Sequence, residues 1–218
     1  MSTGMSAHTI WGTGVSNVNH LRHIMGVPMA SAFTKIRYRL DDVHKNWMAA
    51  SPMVFLATAS DQGDCDVSPR GDKPGSVLIL DDATIALADR PGNRRVVSLE
   101  HIVSNPHVGL LFVIPGRGET LRVNGRATLV HHPIFASRMR VDGVAPELAI
   151  VIEIDEIYLH CTKAFARSKL WDPSTWARPS GRDVELRTAS PRPPETPERR
   201  TWRERRAERR VARAAAGR

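Results

Sequence analysis

The sequence predicts a mainly β fold of the α+β class, six or seven antiparallel strands closed or partly closed into a barrel, with helices in the connections. Three observations carry this. Between residues 53 and 160, apolar or alternating runs of strand length recur, separated by turn residues. Helix-period patterns fall before, between and after those runs rather than replacing them. No internal repeat is present, so a single sheet must hide its own edges, and closing it on itself is the economical way to do so.

Residues 1–33 are weakly patterned, with Gly, Ser, Asn, His and Met, and read as an N-terminal arm. Residues 34–50 read as an amphipathic helix with Ile36, Leu40, Val43 and Trp47 as its stripe, ended by Ser51-Pro52. Residues 53–59 and 64–69 form a hairpin around Asp61-Gln62-Gly63. In its second strand Asp66, Ser68 and Arg70 share one face, and Pro69 confines the strand to an end or an edge. Strands follow at 76–80 and 84–88, then a helix with Val96, Leu99, Ile102 and Val103 at helical spacing, ended by Asn105-Pro106. Residues 107–114 form a near-continuous apolar strand, and 121–129 alternate with Arg122, Asn124, Arg126 and Thr128 on the polar face. A short helix at 133–140, a long strand at 148–160 and a last helix capped by Thr162 and running to Lys169 complete the domain, residues 34–178.

The chain has 218 residues and a formal charge of +8, unevenly placed. Residues 179–218 hold 12 Arg and 6 acidic residues, a net of +6, which leaves +2 for everything before them. The basic character therefore belongs to a Pro/Arg-rich tail, which reads as disordered or marginally helical and offers a weak route to nucleic acid. No apolar run has the length of a membrane span and no secretory leader pattern is present, so the expectation is a cytoplasmic protein with no membrane partner. Cys65 and Cys161 form no CxxC pair and read as buried structural thiols in a reducing compartment. His20 and His23 have metal-pair spacing but lack a third ligand, and no metal site is assigned.

The stretch that stands out is Asp89-Arg90-Pro91-Gly92-Asn93-Arg94-Arg95. Pro91-Gly92 breaks the preceding strand, and Asn93 is a good helix N-cap. Arg94 and Arg95 would then add two cations to a helix end that already presents partial positive charge. That placement suits a docked anion, on which N–H groups, dipole and guanidinium forks converge; two solvated arginines are the plain alternative. No GxSxG elbow, P-loop, HExxH or acid–base dyad appears, so catalytic protein groups stay unassigned and a cofactor would have to carry the chemistry. Arg/Asn/Ser/Gly-rich loops imply that such a cofactor is anionic.

Four segments resemble the pyridoxamine 5'-phosphate oxidase-like FMN-binding split β-barrel flavoproteins, and within them a subgroup of FMN-dependent enzymes. They are Asp66-Val67-Ser68-Pro69-Arg70-Gly71-Asp72, Asp89-Arg90-Pro91-Gly92-Asn93-Arg94, Asn105-Pro106-His107-Val108-Gly109-Leu110-Leu111-Phe112 and Gly118-Glu119-Thr120-Leu121-Arg122-Val123-Asn124-Gly125-Arg126. Cys161-x-Lys163-Ala164 and Arg167-Ser168-x-Leu170-Trp171 fit the subgroup as well. The resemblance implies a six-stranded split barrel that forms a homodimer with FMN between the subunits. It places the phosphate on Asn93, Arg94 and Arg95, the flavin near Ser68 and Arg70, and the ribityl–phosphate end by Asp89 and Arg90. Thr120 would face the ring, and Lys163, Arg167 and Trp171 would come from the partner chain. The implied activity is hydride transfer through flavin N5 to or from a small molecule. Trp171-Asp172-Pro173 and the Arg-rich extension stand where the family's substrate-binding tail would be, which argues against pyridoxamine phosphate as substrate. Other split-barrel proteins bind a deazaflavin or haem, so a cofactor-binding module without turnover is the alternative.

Overall fold

In the computed structural model, residues 8–9 and 12–176 are described. The N-terminal elements are a two-residue antiparallel pair, β1 (His8–Thr9) and β2 (Gly12–Thr13), then α1 (Val18–Met25) and α2 (Ser31–Thr34). The body follows as α3 (Asp42–Ala50), β3 (Met53–Ala59), β4 (Cys65–Gly71), β5 (Leu78–Asp81), β6 (Thr84–Ala88), α4 (Val97–Ser104), β7 (His107–Val113), β8 (Thr120–His131), β9 (Leu148–His160) and α5 (Lys163–Ser168). Strands β3 to β9 form one seven-stranded antiparallel sheet in the order β4-β3-β7-β8-β9-β6-β5. Its two ends, β4 and β5, are not hydrogen-bonded to each other, and the barrel is split there. The seventh strand is the short β5, which pairs only with β6 and carries an irregularity between Ile79 and Asp81. The Arg-rich tail expected over residues 179–218 lies outside the described residues.

One face of the sheet makes the core. Val54, Leu56, Leu110, Phe112, Leu121, Val123, Ile150, Ile152 and Ile157 are buried in one cluster with Met48 of α3 and Leu99 and Ile102 of α4. Full burial of such side chains stabilises by roughly 1.5–3 kcal/mol each. His101 of α4 is 1% exposed inside this core, its Nδ1 3.1 Å from Thr58 Oγ1. The long β8–β9 pairing bends at a bulge between Asn124 and Gly125. Only glycine fits at Gly125, because an added Cβ would collide with the Glu153 carbonyl.

Two helices start later than their periodicity suggests. The helix expected from residue 34 begins at Asp42, because Asp41 builds a capping box there. Its carboxylate accepts from the His44 N–H at 2.9 Å, and His44 Nδ1 accepts from the Asp41 N–H at 3.3 Å. Upstream, the backbone is claimed by strands instead. Arg37 and Ile157 exchange N–H···O bonds of 2.9 and 2.8 Å, and the Leu40 N–H donates to the Asp82 carbonyl at 2.7 Å. The helix therefore buries His44 and Met48, while Val43, assigned to the stripe, is 57% exposed. In the same way α4 begins at Val97, with no side-chain cap, rather than after Asn93.

Smaller departures follow the same logic. Residues 18–25, which showed no clear pattern, form α1 with Asn17 as N-cap, its side chain accepting from the His20 N–H at 2.9 Å. The expected helix at 133–140 is a 3-10 turn, Ala136–Met139. Cys65 and Cys161 are exposed rather than buried, one on the outward face of the edge strand β4 and the other just past the end of β9. Among the described residues no helix is long and apolar enough to cross a membrane.

Candidate functional site

The edge strand β4 and the segment between β6 and α4 face each other across the split, and a groove of about 700 Å³ opens between them. Period-two geometry turns Asp66, Ser68 and Arg70 to the core side of β4, all half-buried, while Val67 and Pro69 face outward and are exposed. Pro69 sits on the edge strand, where its missing N–H breaks no ladder bond. Asp66, Ser68 and Arg70 line one wall of the groove, and Asp89, Arg90, Asn93, Arg94 and Arg95 line the other.

The second wall is shaped by a loop, not by a helical turn. Asn93 Oδ1 accepts from the Arg95 N–H at 2.9 Å, an Asx turn that holds Arg94 in the left-handed region at φ 60°. A non-glycine residue there carries strain of the order of 1 kcal/mol. Asn93 therefore caps a turn instead of α4, and Arg94 and Arg95 precede the helix rather than occupying its first turn. No surplus of positive charge therefore sits inside the first turn of α4. What replaces it is a strained loop that presents two exposed guanidiniums to the groove in front of the start of α4.

The four arginines of the groove are not equivalent. Arg70 Nη1 donates to Asp89 Oδ1 at 2.8 Å, with side chains 22% and 28% exposed. Arg90 Nε donates to Asp72 Oδ2 at 2.9 Å, with side chains 27% and 19% exposed, and Arg90 Nη2 donates to the Met139 carbonyl at 2.9 Å. The pairs cross: one arginine and one aspartate come from the end of β4, their partners from the exit of β6. Arg94 and Arg95 take part in no ion pair among the described residues. Arg70 Nε is buried without a hydrogen-bond partner among the described residues. Arg70 lines both this groove and a smaller cavity of about 170 Å³ that Val54, Ser76, Leu87 and Arg90 also line. An orphaned buried donor costs about 1–3 kcal/mol unless something accepts from it.

The remaining residues assigned from the resemblance lie elsewhere in this chain. Thr120 is 3% exposed at the start of β8, opposite His160 and three strands away from β4. Lys163 and Arg167 are exposed on α5. Trp171 stacks on Phe165 with ring centroids 5.6 Å apart and donates from Nε1 to the Arg117 carbonyl at 2.7 Å. None of the four lines the groove. Two residues that sequence reasoning passed over do belong to it or brace it. Ser98 lines the groove and donates from Oγ to Asp66 Oδ2 at 2.7 Å, and Asp72 holds Arg90. The alternation of Asp66, Ser68 and Arg70 was the available signal for Asp66; nothing local announces Asp72.

The family model described as pyridoxamine 5'-phosphate oxidase matches residues 40–161, more than half of the 218-residue chain. The chain belongs to the pyridoxamine 5'-phosphate oxidase family. Both walls of the groove, from β4 to the start of α4, fall within the matched span of this oxidase-family domain. No curated protein matches the chain. Among solved structures, HupZ from Group A Streptococcus is 18% identical with a TM-score of 0.45, and the match covers 55% of this chain and 93% of that one. A protein related to general stress protein 26 of Bacillus subtilis, from Clostridium acetobutylicum, is 15% identical with a TM-score of 0.42, covering 56% and 91%. An FMN-binding protein from Syntrophomonas wolfei is 12% identical with a TM-score of 0.40, covering 53% and 80%.

Proposed function

We propose that this member of the family is an FMN-dependent oxidoreductase that works as a homodimer, with the cofactor between subunits, on a small molecule other than pyridoxamine phosphate. The observation that carries the reading is the sorting of the groove arginines. Among the described residues, Arg94 and Arg95 stand unpaired beside a groove in which Arg70 keeps a buried, orphaned donor. A phosphate monoester suits that set, because guanidiniums donate to its oxygens in charge-assisted bonds about twice as strong as neutral ones. Arg94 and Arg95 would hold the phosphate, and Ser68 and Arg70 would border the rest of the cofactor. Bound FMN supplies hydride exchange at its N5.

What the chain itself contributes is binding and orientation. The crossed pairs Arg70–Asp89 and Asp72–Arg90 fix the two walls at a set separation, so the groove exists before a ligand arrives. Asp89 and Arg90 are already engaged by those pairs and by the Met139 carbonyl, and in this reading they act by positioning the loop that follows them. In the homodimer reading Lys163, Arg167 and Trp171 reach the cofactor from the partner subunit.

The test is the visible spectrum of the purified full-length protein, with mass analysis of what heat releases, on wild type and Arg94→Ala. The expected result is a flavin spectrum, release of FMN, and a largely colourless variant. A deazaflavin or haem spectrum would instead favour the cofactor-binding alternative, and a variant that keeps its flavin in full would sink the phosphate assignment.

A further inference from the structure

The outer face of the sheet changes character along a single row of register partners. Phe55 on β3, Leu111 on β7, Arg122 on β8 and Tyr158 on β9 lie side by side. Phe55 is 37% exposed and Leu111 half-buried, so the row begins as an apolar shelf. It ends in positive charge. Arg122 Nη1 donates to the Tyr158 hydroxyl at 3.1 Å. Lys35 reaches the same ring from the chain before α3, its Nζ 5.2 Å from the ring centroid and donating to the Leu159 carbonyl at 3.0 Å. His160, the next residue of β9 on this face, has its ring 6.4 Å from that of Tyr158. Burial first, then the charges of Arg122 and Lys35, hold its pKa below the usual 6.5, so the imidazole is neutral at neutral pH.

Among the described residues neither Lys35 nor Arg122 belongs to an ion pair. The contrast lies on the same strand, where Arg126 is held by Glu153 and Asp155, each at 3.3 Å. Two fixed cations thus gather around one phenol, and neither is paired with a carboxylate among the described residues: Glu156, the preceding residue of β9 on this face, is held by Asn124 Nδ2 at 2.6 Å. An incoming negative charge relieves that arrangement. Tyr158 uses its oxygen to accept from Arg122, which leaves its O–H free to donate to that charge.

We infer that this row is a binding site for a small organic carboxylate with an apolar or aromatic body. The carboxylate lies between Arg122, Lys35 and the Tyr158 hydroxyl, and the body lies on Leu111 and Phe55. Neighbouring strands are about 4.8 Å apart, so Arg122 to Phe55 spans about 10 Å, the length of a bicyclic arene acid. The site shares no lining residue with the groove, and it does not rest on the flavin reading.

Isothermal titration of naphthoate into the full-length protein tests it, with naphthamide as the uncharged probe of the same shape. Naphthoate is expected to bind at least about tenfold more tightly than naphthamide. Arg122→Met should weaken naphthoate about tenfold or more while its flavin content stays that of wild type. Lys35→Met, at an exposed residue, should weaken it in the same direction. Arg126→Met, which removes a guanidinium already paired, should change it less than about twofold. Equal binding of acid and amide, no binding of the acid, or undiminished binding in Arg122→Met would overturn the proposal. So would an Arg122→Met protein that loses its flavin, since the cluster would then serve the cofactor. An Arg94→Ala protein that has lost flavin but still binds naphthoate would support it and separate the two sites.

Discussion

Arg70 and Arg90 differ from Arg94 and Arg95 in one respect that decides their roles. The first two are half-buried and each faces an aspartate across the split; the second two are exposed and face none among the described residues. The same residue type therefore does two jobs within one groove. The paired arginines hold the walls together, and the unpaired ones are left for a ligand. Charge alone would not have separated them, and proximity to the groove would have merged them. The difference is visible only in which carboxylates come within reach.

The largest expected effect sharpens that division. Removing both unpaired guanidiniums, with Arg94→Ala and Arg95→Ala together, should weaken FMN by about 10²–10⁴-fold, from two charge-assisted hydrogen bonds of roughly 1.5–3 kcal/mol each. Flavin fluorescence titration at fixed ionic strength reads it, and the melting temperature of the unliganded protein should barely move. Asp89→Asn should do the reverse. It leaves a half-buried Arg70 without its carboxylate, at a cost of about 1–3 kcal/mol, discounted from a fully buried pair because both side chains keep about a quarter of their exposure. Thermal unfolding should show that loss; a variant as stable as wild type would mean that the crossed pairs do not hold the split.

A smaller effect belongs to His44, away from the groove. Burial outweighs the pull of Asp41 and keeps its folded-state pKa below 6.5. The unfolded chain therefore binds the proton more readily, and the contribution of neutral His44 to stability is present above pH 6.5 and lost as the pH falls through the lower folded value. His44→Gln keeps a side chain able to complete the capping box but removes the titration. Denaturant melts of the two proteins should differ in slope below pH 6.5 and run parallel above it. The smallest expected change is at Arg94→Gly. Relief of left-handed strain, of the order of 1 kcal/mol, offsets the glycine entropy cost of about 0.5–1 kcal/mol. Its stability should stay level while FMN affinity drops. A clear fall in melting temperature would show that the Arg94 side chain supports the fold.

The strands were legible because their signals are local. Residues 84–88 and 148–160 match β6 and β9 end to end, and the proline of β4 gave away its edge position. Helix starts were less legible, since periodicity runs on through extended chain. Leu40 completes an apolar stripe on paper, yet it is buried from a segment that pairs with β9 and the β5–β6 turn. Asn93 has the chemistry of an N-cap and spends it on an Asx turn three residues early. The groove residues on β4 and after β6 could be named from motif and alternation. Their pairing could not, because Arg70 meets Asp89 and Asp72 meets Arg90 only when the sheet curls and brings its ends together.

If Arg94 and Arg95 form a phosphate site, the protein must tell FMN from riboflavin, which differ only by that phosphate. Affinities for both should be taken on wild type and on the Arg94→Ala, Arg95→Ala protein under one salt condition. Wild type should prefer FMN by at least about 10²-fold, and the double variant should lose most of this preference while its riboflavin affinity holds. Equal affinity of wild type for the two flavins, or a preference that survives removal of both arginines, would contradict the phosphate site.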